Sequence, residues 1–414
     1  MLNNLSELTA ALPDMLSGDE LIQALADLPL YDEQIIYKSK TERLLALSDL
    51  YRIYIPSFMS TEIYSKLYVA LIRSLEKKGM KLAIRQKQEN HLAVKGQEYR
   101  GIIGGSDSFT IIGGSGIGKS SAIDRAISLI TGNQIIEVGT PYCKIIPCLV
   151  VQCPFDASVK SMLLEILRKV DETLETKYYD AAIRARSTTD MLIGSVSQVC
   201  LNHVGMLIVD EIQNVVNSKN GKILVGSLTQ LINNSGISIC MVGTPDCTVF
   251  FEGAMHLARR SLGLKYQALP YDEYFVEICK MLFGYTFVNN TVPLDQSLIN
   301  WLYEHCNGIM AVLVALLHDA QEIAILTGAE MLDRMTLDEA FKRRLCMMHD
   351  YIRIEEPIKQ KTQPKKKNVW REQKTEPSAC NRKKISLLVD KAKSDGLDIV
   401  ELLKVENLIM EVTI

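Results

Sequence analysis

Eight consecutive residues, Gly113-Gly114-Ser115-Gly116-Ile117-Gly118-Lys119-Ser120, fit the spacing G-x-x-x-x-G-K-[S/T]. Four glycines in six positions let the backbone turn tightly and aim its N–H groups at phosphate oxygens. At this spacing Lys119 reaches the β- and γ-phosphates of a nucleotide, and the Ser120 hydroxyl ligates Mg²⁺. Ser121 opens the helix that follows, so the phosphate meets the positive end of a helix dipole.

A second segment supplies the complementary chemistry. Met206-Leu207-Ile208-Val209 is a short apolar run that ends in Asp210-Glu211. A buried strand that delivers two carboxylates at its end gives Asp210 for Mg²⁺, directly or through water, and Glu211 to orient and polarise an attacking water. Gly243-Thr244-Pro245-Asp246 follows the next strand. Thr244 there suits a sensor of the γ-phosphate, and Gly-Thr-Pro equally suits a plain strand-ending turn. Leu257-Ala258-Arg259-Arg260 closes a predicted helix. An arginine pair there can reach a neighbouring subunit's γ-phosphate, with Arg260 first and Arg259 second, or simply meet the helix dipole.

These groups need a parallel sheet to position them. The spacing predicts strands at Phe109–Ile112, Ile146–Gln152, Met206–Asp210 and Ile237–Val242, with helices between them. Ser121–Ile130 reads as a helix with Ala122, Ile123, Ala126, Ile127 and Ile130 on one face. The fold class is α/β: a parallel sheet flanked by helices, with a small helical lid and terminal extensions. Residues 1–100 form an N-terminal helical extension for partner binding, 101–270 the nucleotide core, 271–355 the lid, and 356–414 a basic linker with a docking tail. Within the extension, Met1–Ala26 reads as a helical arm. Thr61–Glu76 is an amphipathic helix with Ile63, Leu67, Leu71, Ile72 and Leu75 on one stripe, capped by Ser60. Arg85–Arg100 reads as a polar surface passage. Leu298–Thr327 reads as helical. From Pro357 to Lys384 there are ten Lys/Arg against two Glu, a flexible linker that suits a solubilising tail or a binding segment.

Bulk properties agree with a soluble protein. The chain has 414 residues, 47% of them hydrophobic, enough for a full core without disulfides. Ten scattered cysteines without a C-x-x-C pair read as reduced thiols, and six histidines without paired spacing give no metal site. No membrane span or signal peptide is expected. A net charge of −3 implies that any nucleic-acid contact comes from a local patch.

Taken in order, the phosphate loop, "MLIVDEIQNV", "ISICMVGTPD" and "LARR" resemble the TnsC/TniB-type AAA+ ATPases, regulators of prokaryotic transposons. The resemblance covers about residues 100 to 320. It implies ATP and Mg²⁺ as cofactors and an ATPase that assembles as a ring or helical homo-oligomer around duplex DNA. It also implies a target-selection protein and a transposase as partners, disassembly on hydrolysis, and a cytoplasmic location in a prokaryote. In such proteins DNA contacts lie after the second strand and before the next helix pair. Here those positions offer Lys160, Arg186 and Thr188, types suited to phosphate contacts that carry no sequence preference. The lid turn Asn307–Val312 carries no Arg or Lys where the family often has one, so no side-chain link from lid to nucleotide is expected there. A signalling or defence NTPase switch that never touches DNA, and a replication-initiator or helicase-loader ATPase, remain open as alternatives.

Overall fold

The computed structural model describes residues 8–78, 81–101, 103, 107–132, 134–139, 142–216, 218–253 and 261–345. Arg259, Arg260, the basic linker and the docking tail lie outside the described residues.

Six strands form the central sheet: β1 Ser108–Gly113, β2 Ile136–Gly139, β3 Tyr142–Gln152, β4 Val204–Asp210, β5 Ser238–Gly243 and β6 Ser261–Tyr266. Their spatial order is β2-β3-β4-β5-β1-β6. Five run parallel, as their alternation with helices requires. β2 is the exception and pairs antiparallel with the start of β3, with Glu137 opposite Lys144. The sheet is thus mostly parallel and flanked by helices, as expected, with β2 added as an antiparallel edge. β3 also begins four residues earlier than its apolar run.

Side chains alternate between two cores because successive residues of a strand face opposite ways. Met206, Ile208, Cys240 and Val242 face one side. There the helix Phe58–Lys78 lays down Ile63, Leu67, Leu71 and Leu75, and the helix Lys119–Thr131 adds Ala122, Ile123, Ala126 and Ile130. Leu207, Val209, Ile239 and Met241 face the other side, under the helices Val159–Leu174, Thr189–His203 and Gly221–Ser235. At about 25 cal/mol per Å² of apolar surface, each fully buried Leu or Ile here contributes roughly 1.5–3 kcal/mol.

Two local readings change. The helix Phe58–Lys78 starts three residues before Thr61, so Ser60 is not its cap. Ser60 is buried and its Oγ accepts from Ser57 N at 3.0 Å, while Ser57 Oγ accepts from Ser60 N at 3.4 Å. The Arg85–Arg100 stretch begins as part of a helix, Lys81–Val94, that packs against Thr189–His203. Its polar Gln86 and Asn90 are fully buried, with Gln86 Nε2 donating to Asn90 Oδ1 at 3.0 Å and Asn90 Nδ2 to Asn234 O at 3.0 Å.

A second core follows the sheet. The helices Glu273–Phe283, Gln296–Cys306, Met310–Thr327 and Arg334–Arg343 enclose Phe275, Leu302, Leu313 and Leu337. The predicted single helical stretch Leu298–Thr327 is broken at Asn307 and Gly308, both left-handed at φ 50° and 70°. Ile35, Leu47 and Leu50 from the N-terminal stretch join this core. Arg43 fastens them: it is 4% exposed and grips Glu330 with two hydrogen bonds of 2.6 and 2.7 Å. Met310–Thr327 is long and apolar enough to cross a membrane by length and composition. Its buried residues, among them Leu316, Leu317 and Ala324, belong to this core.

Candidate functional site

The phosphate loop leaves β1 at Gly113 and enters its helix at Lys119. Gly116 and Gly118 have φ of 77° and 98°, a region that side chains with a Cβ avoid. Gly113 is needed for a different reason: an added Cβ would stand 2.5 Å from Ile117 Cδ1 and 3.0 Å from Tyr266 O. Lys119 Nζ donates to Gly113 O and Gly114 O, both at 2.8 Å. Burial pushes the Lys119 ammonium below its usual pKa, opposed by the charges of Asp210 and Glu211.

Asp210 stands at the end of β4, separated from β1 by β5 alone. Ser120 Oγ lies 3.3 Å from Asp210 Oδ2. Two hard oxygens at this spacing fit Mg²⁺, which takes one or two protein oxygens and completes its shell with water and phosphate. Asp210 Oδ1 accepts from Glu211 N at 2.8 Å. Glu211 is itself left-handed, with φ of 56°. Thr244 follows β5 directly, and its Oγ1 donates to Asp246 Oδ2 at 3.1 Å.

Ser115 to Ser121, Asp210, Glu211 and Thr244 all line one cavity of about 1050 Å³. Gly113 and Gly114 sit behind it and contribute the carbonyls that hold Lys119. The volume suits a bound nucleotide. Among the described residues, Lys119 is the only Lys or Arg that lines it.

The remaining walls were not anticipated from the sequence. The segment from Ile53 to Thr61, before and into the helix Phe58–Lys78, forms one side. The passage Tyr266–Pro270 with Tyr274 and Ile278 forms another, and Met310, Ala311 and Val314 of the lid form a third. The aromatic and proline content of Tyr54-Ile55-Pro56 was the one available hint, since these side chains offer flat apolar surface. Tyr266 OH donates to Glu62 Oε2 at 2.8 Å, fastening two of the walls together.

The helix Met310–Thr327 touches the phosphate loop through backbone. Ala311 N–H donates to Gly116 O at 3.0 Å. A Cβ on Gly116 would approach Ile309 Cγ2 to 3.0 Å and Ala311 Cβ to 3.1 Å. The turn Asn307–Val312, which carries no Arg or Lys, thus meets the phosphate loop through its main chain.

Lys160, Arg186 and Thr188 stand apart from the cavity. Lys160 is exposed in the first turn after β3, beyond the cap Ser158. Arg186 is exposed in a turn with φ of 48°. Thr188 caps its helix by accepting from Met191 N at 3.4 Å, the ordinary role of such a residue.

No curated protein matches this chain. Among solved structures, the Aeropyrum pernix ORC1 protein in complex with DNA is similar at 15% identity and a TM-score of 0.42, over 65% of this chain and 65% of that chain. Drosophila ORC bound to DNA is similar at 11% identity and a TM-score of 0.43, over 99% of this chain and 88% of that chain. This chain therefore spans about 65% of the Aeropyrum pernix chain. Residues 104–264, from just before β1 into β6, match the family model of the bacterial TniB protein, the same family that the motifs of this sequence resemble.

Proposed function

We propose that this protein is an ATP-hydrolysing, DNA-binding AAA+ regulator of transposition that works as a homo-oligomer. The observation that carries the ATPase part is the convergence of the phosphate loop, Asp210, Glu211 and Thr244 on one cavity. In this reading Lys119 leaves the carbonyls of Gly113 and Gly114 for the β- and γ-phosphates. Ser120 and Asp210 hold Mg²⁺, which neutralises phosphate charge. Glu211 takes up and orients the attacking water, and Thr244 reports the γ-phosphate. Arg260, with Arg259 behind it, reaches the site of the next subunit. Residues 271–355 act as the lid, and the stretches before 101 and after 355 bind partners.

The DNA part rests on the family match and on exposed cations. In this reading Lys160, Arg186 and Thr188 contact phosphates of a duplex enclosed by the oligomer, which links a target-selection protein to the transposase. Each subunit contributes few contacts, so affinity sums only over the assembly. Binding to generic duplex should require ATP and fall steeply with salt, by about 0.9 in log–log slope per neutralised phosphate. Lys160→Ala with Arg186→Ala should flatten that slope on all sequences and leave nucleotide affinity intact. A chain truncated at Glu355 is measured in parallel. If truncation abolishes DNA binding and the double mutant changes nothing, the core does not hold DNA, and a nucleotide switch acting on protein partners is the better account.

A further inference from the structure

Gln213 lies two residues beyond Glu211, in the short turn Ile212–Val215, and lines the same cavity. Its Nε2 donates to Glu211 Oε2. A carboxylate can only accept, so the carboxamide nitrogen must face Glu211 and the oxygen must face away. That oxygen is buried and has no hydrogen-bond donor among the described residues. It rests on Gly243, where an added Cβ would come within 2.9 Å of it. Gly243 ends β5 and precedes Thr244. One side chain thus spans the carboxylate of Glu211 and the end of β5.

Glu211 needs such a restraint. Its backbone is left-handed at φ 56° and its N–H is held by Asp210 Oδ1. Its side chain is exposed and would otherwise sample many rotamers. A buried amide oxygen without a donor is costly, and it persists here because the nitrogen serves the carboxylate.

We propose that Gln213 is a positioning residue for hydrolysis: it holds the Glu211 carboxylate in the cavity, at a distance fixed by the end of β5. The proposal rests on the reading of Glu211 given above. Gln213 touches no reacting atom, so its loss slows turnover and spares nucleotide binding.

The test is ATP hydrolysis, at steady state and in single turnover, by the full chain carrying Gln213→Met, which keeps length and removes the donor. The expected result is a fall in kcat of about 10- to 100-fold with ATP affinity within about twofold of wild type. In a Glu211→Gln background the same substitution should change the residual rate by less than about twofold, since no carboxylate remains to be aimed. Gln213→Asn keeps the amide and shortens its reach by one methylene, and should repeat the loss if the methionine variant does not fold. A normal kcat, a change in KM alone, or losses that multiply with those of Glu211→Gln overturn the tether. Wild-type hydrolysis by Glu211→Gln overturns the reading of Glu211 and the tether together; a dead Glu211→Gln beside a fully active Gln213→Met overturns the tether alone.

Discussion

Gly308→Ala offers a quantitative test of how the lid is held to the nucleotide cavity. Gly308 is buried and left-handed, at φ 70°. A Cβ built on it would stand 2.0 Å from Leu269 O, about 1.4 Å short of ordinary contact. A residue with a Cβ pays roughly 1–2 kcal/mol for the left-handed backbone. The remaining clash has to be relieved by moving Leu269. That movement breaks the 3.0 Å bond from Leu269 N to Gly308 O and the 3.2 Å bond from Tyr303 OH to Leu269 O. Losing one buried partner costs about 1–3 kcal/mol. The left-handed backbone and the two lost bonds together cost about 3–8 kcal/mol, a large share of the stability of an ordinary domain. Leu269 and the neighbouring Ala268 and Pro270 line the cavity, so the damage should also reach the nucleotide. Thermal unfolding with and without ATP reads both effects. The variant should melt at a lower temperature and gain less from ATP than wild type, because stabilisation by a ligand scales with the logarithm of its concentration over Kd. The neighbouring Asn307→Gly is the control. Asn307 is already left-handed at φ 50°, so removing its side chain relieves strain while loosening the unfolded chain, with a net change within about 1 kcal/mol. A Gly308→Ala protein with wild-type melting and wild-type ATP affinity would refute the argument.

Three further outcomes are expected. Lys119→Ala removes the only Lys or Arg that lines the cavity among the described residues and should weaken ATP binding by more than about 100-fold in titration calorimetry, whereas wild-type affinity would put the phosphates elsewhere. Glu330→Gln leaves the buried Arg43 guanidinium short of its counter-charge and should cost about 3–5 kcal/mol in denaturant unfolding. The Arg43 hydrogen bonds hold the Glu330 carboxyl below its usual value of 4.5, so the stability it contributes is present above that value and lost as pH falls through the folded value; an acid unfolding curve identical in the mutant would contradict this. Burial pushes the thiols of Cys148, Cys153, Cys200, Cys279 and Cys306 up to about 12, so they should resist alkylation at pH 8 in the native protein and react on unfolding. Their raised values stabilise the fold below about pH 9, and that contribution is lost as pH climbs toward 12, so melting temperature should decline over that interval.

The parts of the fold that were legible are those where one residue type has one physical use. β1, β4 and β5 are short apolar runs closed by Gly or Asp, and a strand buried on both faces has little else to be. β2 escaped notice because a hairpin edge needs no apolar run: Glu137 and Lys144 face each other across it and pair at 3.2 Å, which in sequence looks like a charged loop. The helix Lys81–Val94 escaped for a related reason. Its tightest crossing uses small residues, since a Cβ on Gly194 would stand 2.7 Å from Ala93 Cβ. Its buried amides bond to each other and to the Asn234 backbone carbonyl, so burial there is not marked by hydrophobicity.

The candidate site divides along the same line. The phosphate loop and the Asp210-Glu211 pair are contiguous and carry functional groups that few other structures require. The walls from Ile53 to Thr61 and from Tyr266 to Pro270 come from segments far apart in the chain, and only the packing of the N-terminal helix under the sheet brings them together. The lid link is the sharpest case. An arginine or lysine at the turn Asn307–Val312 would have been visible, and its absence reads as a missing connection. The connection that exists is Ala311 N–H to Gly116 O. Every residue except proline carries that donor, so composition cannot announce it. What can be read afterwards is the requirement for small groups around it. Gly116 has no room for a Cβ beside Ile309 and Ala311, and a long side chain at Ala311 would have to leave the contact by another route. The backbone bond and the small residues are therefore one device, in which close approach replaces charge as the means by which the helix Met310–Thr327 is joined to the phosphate loop.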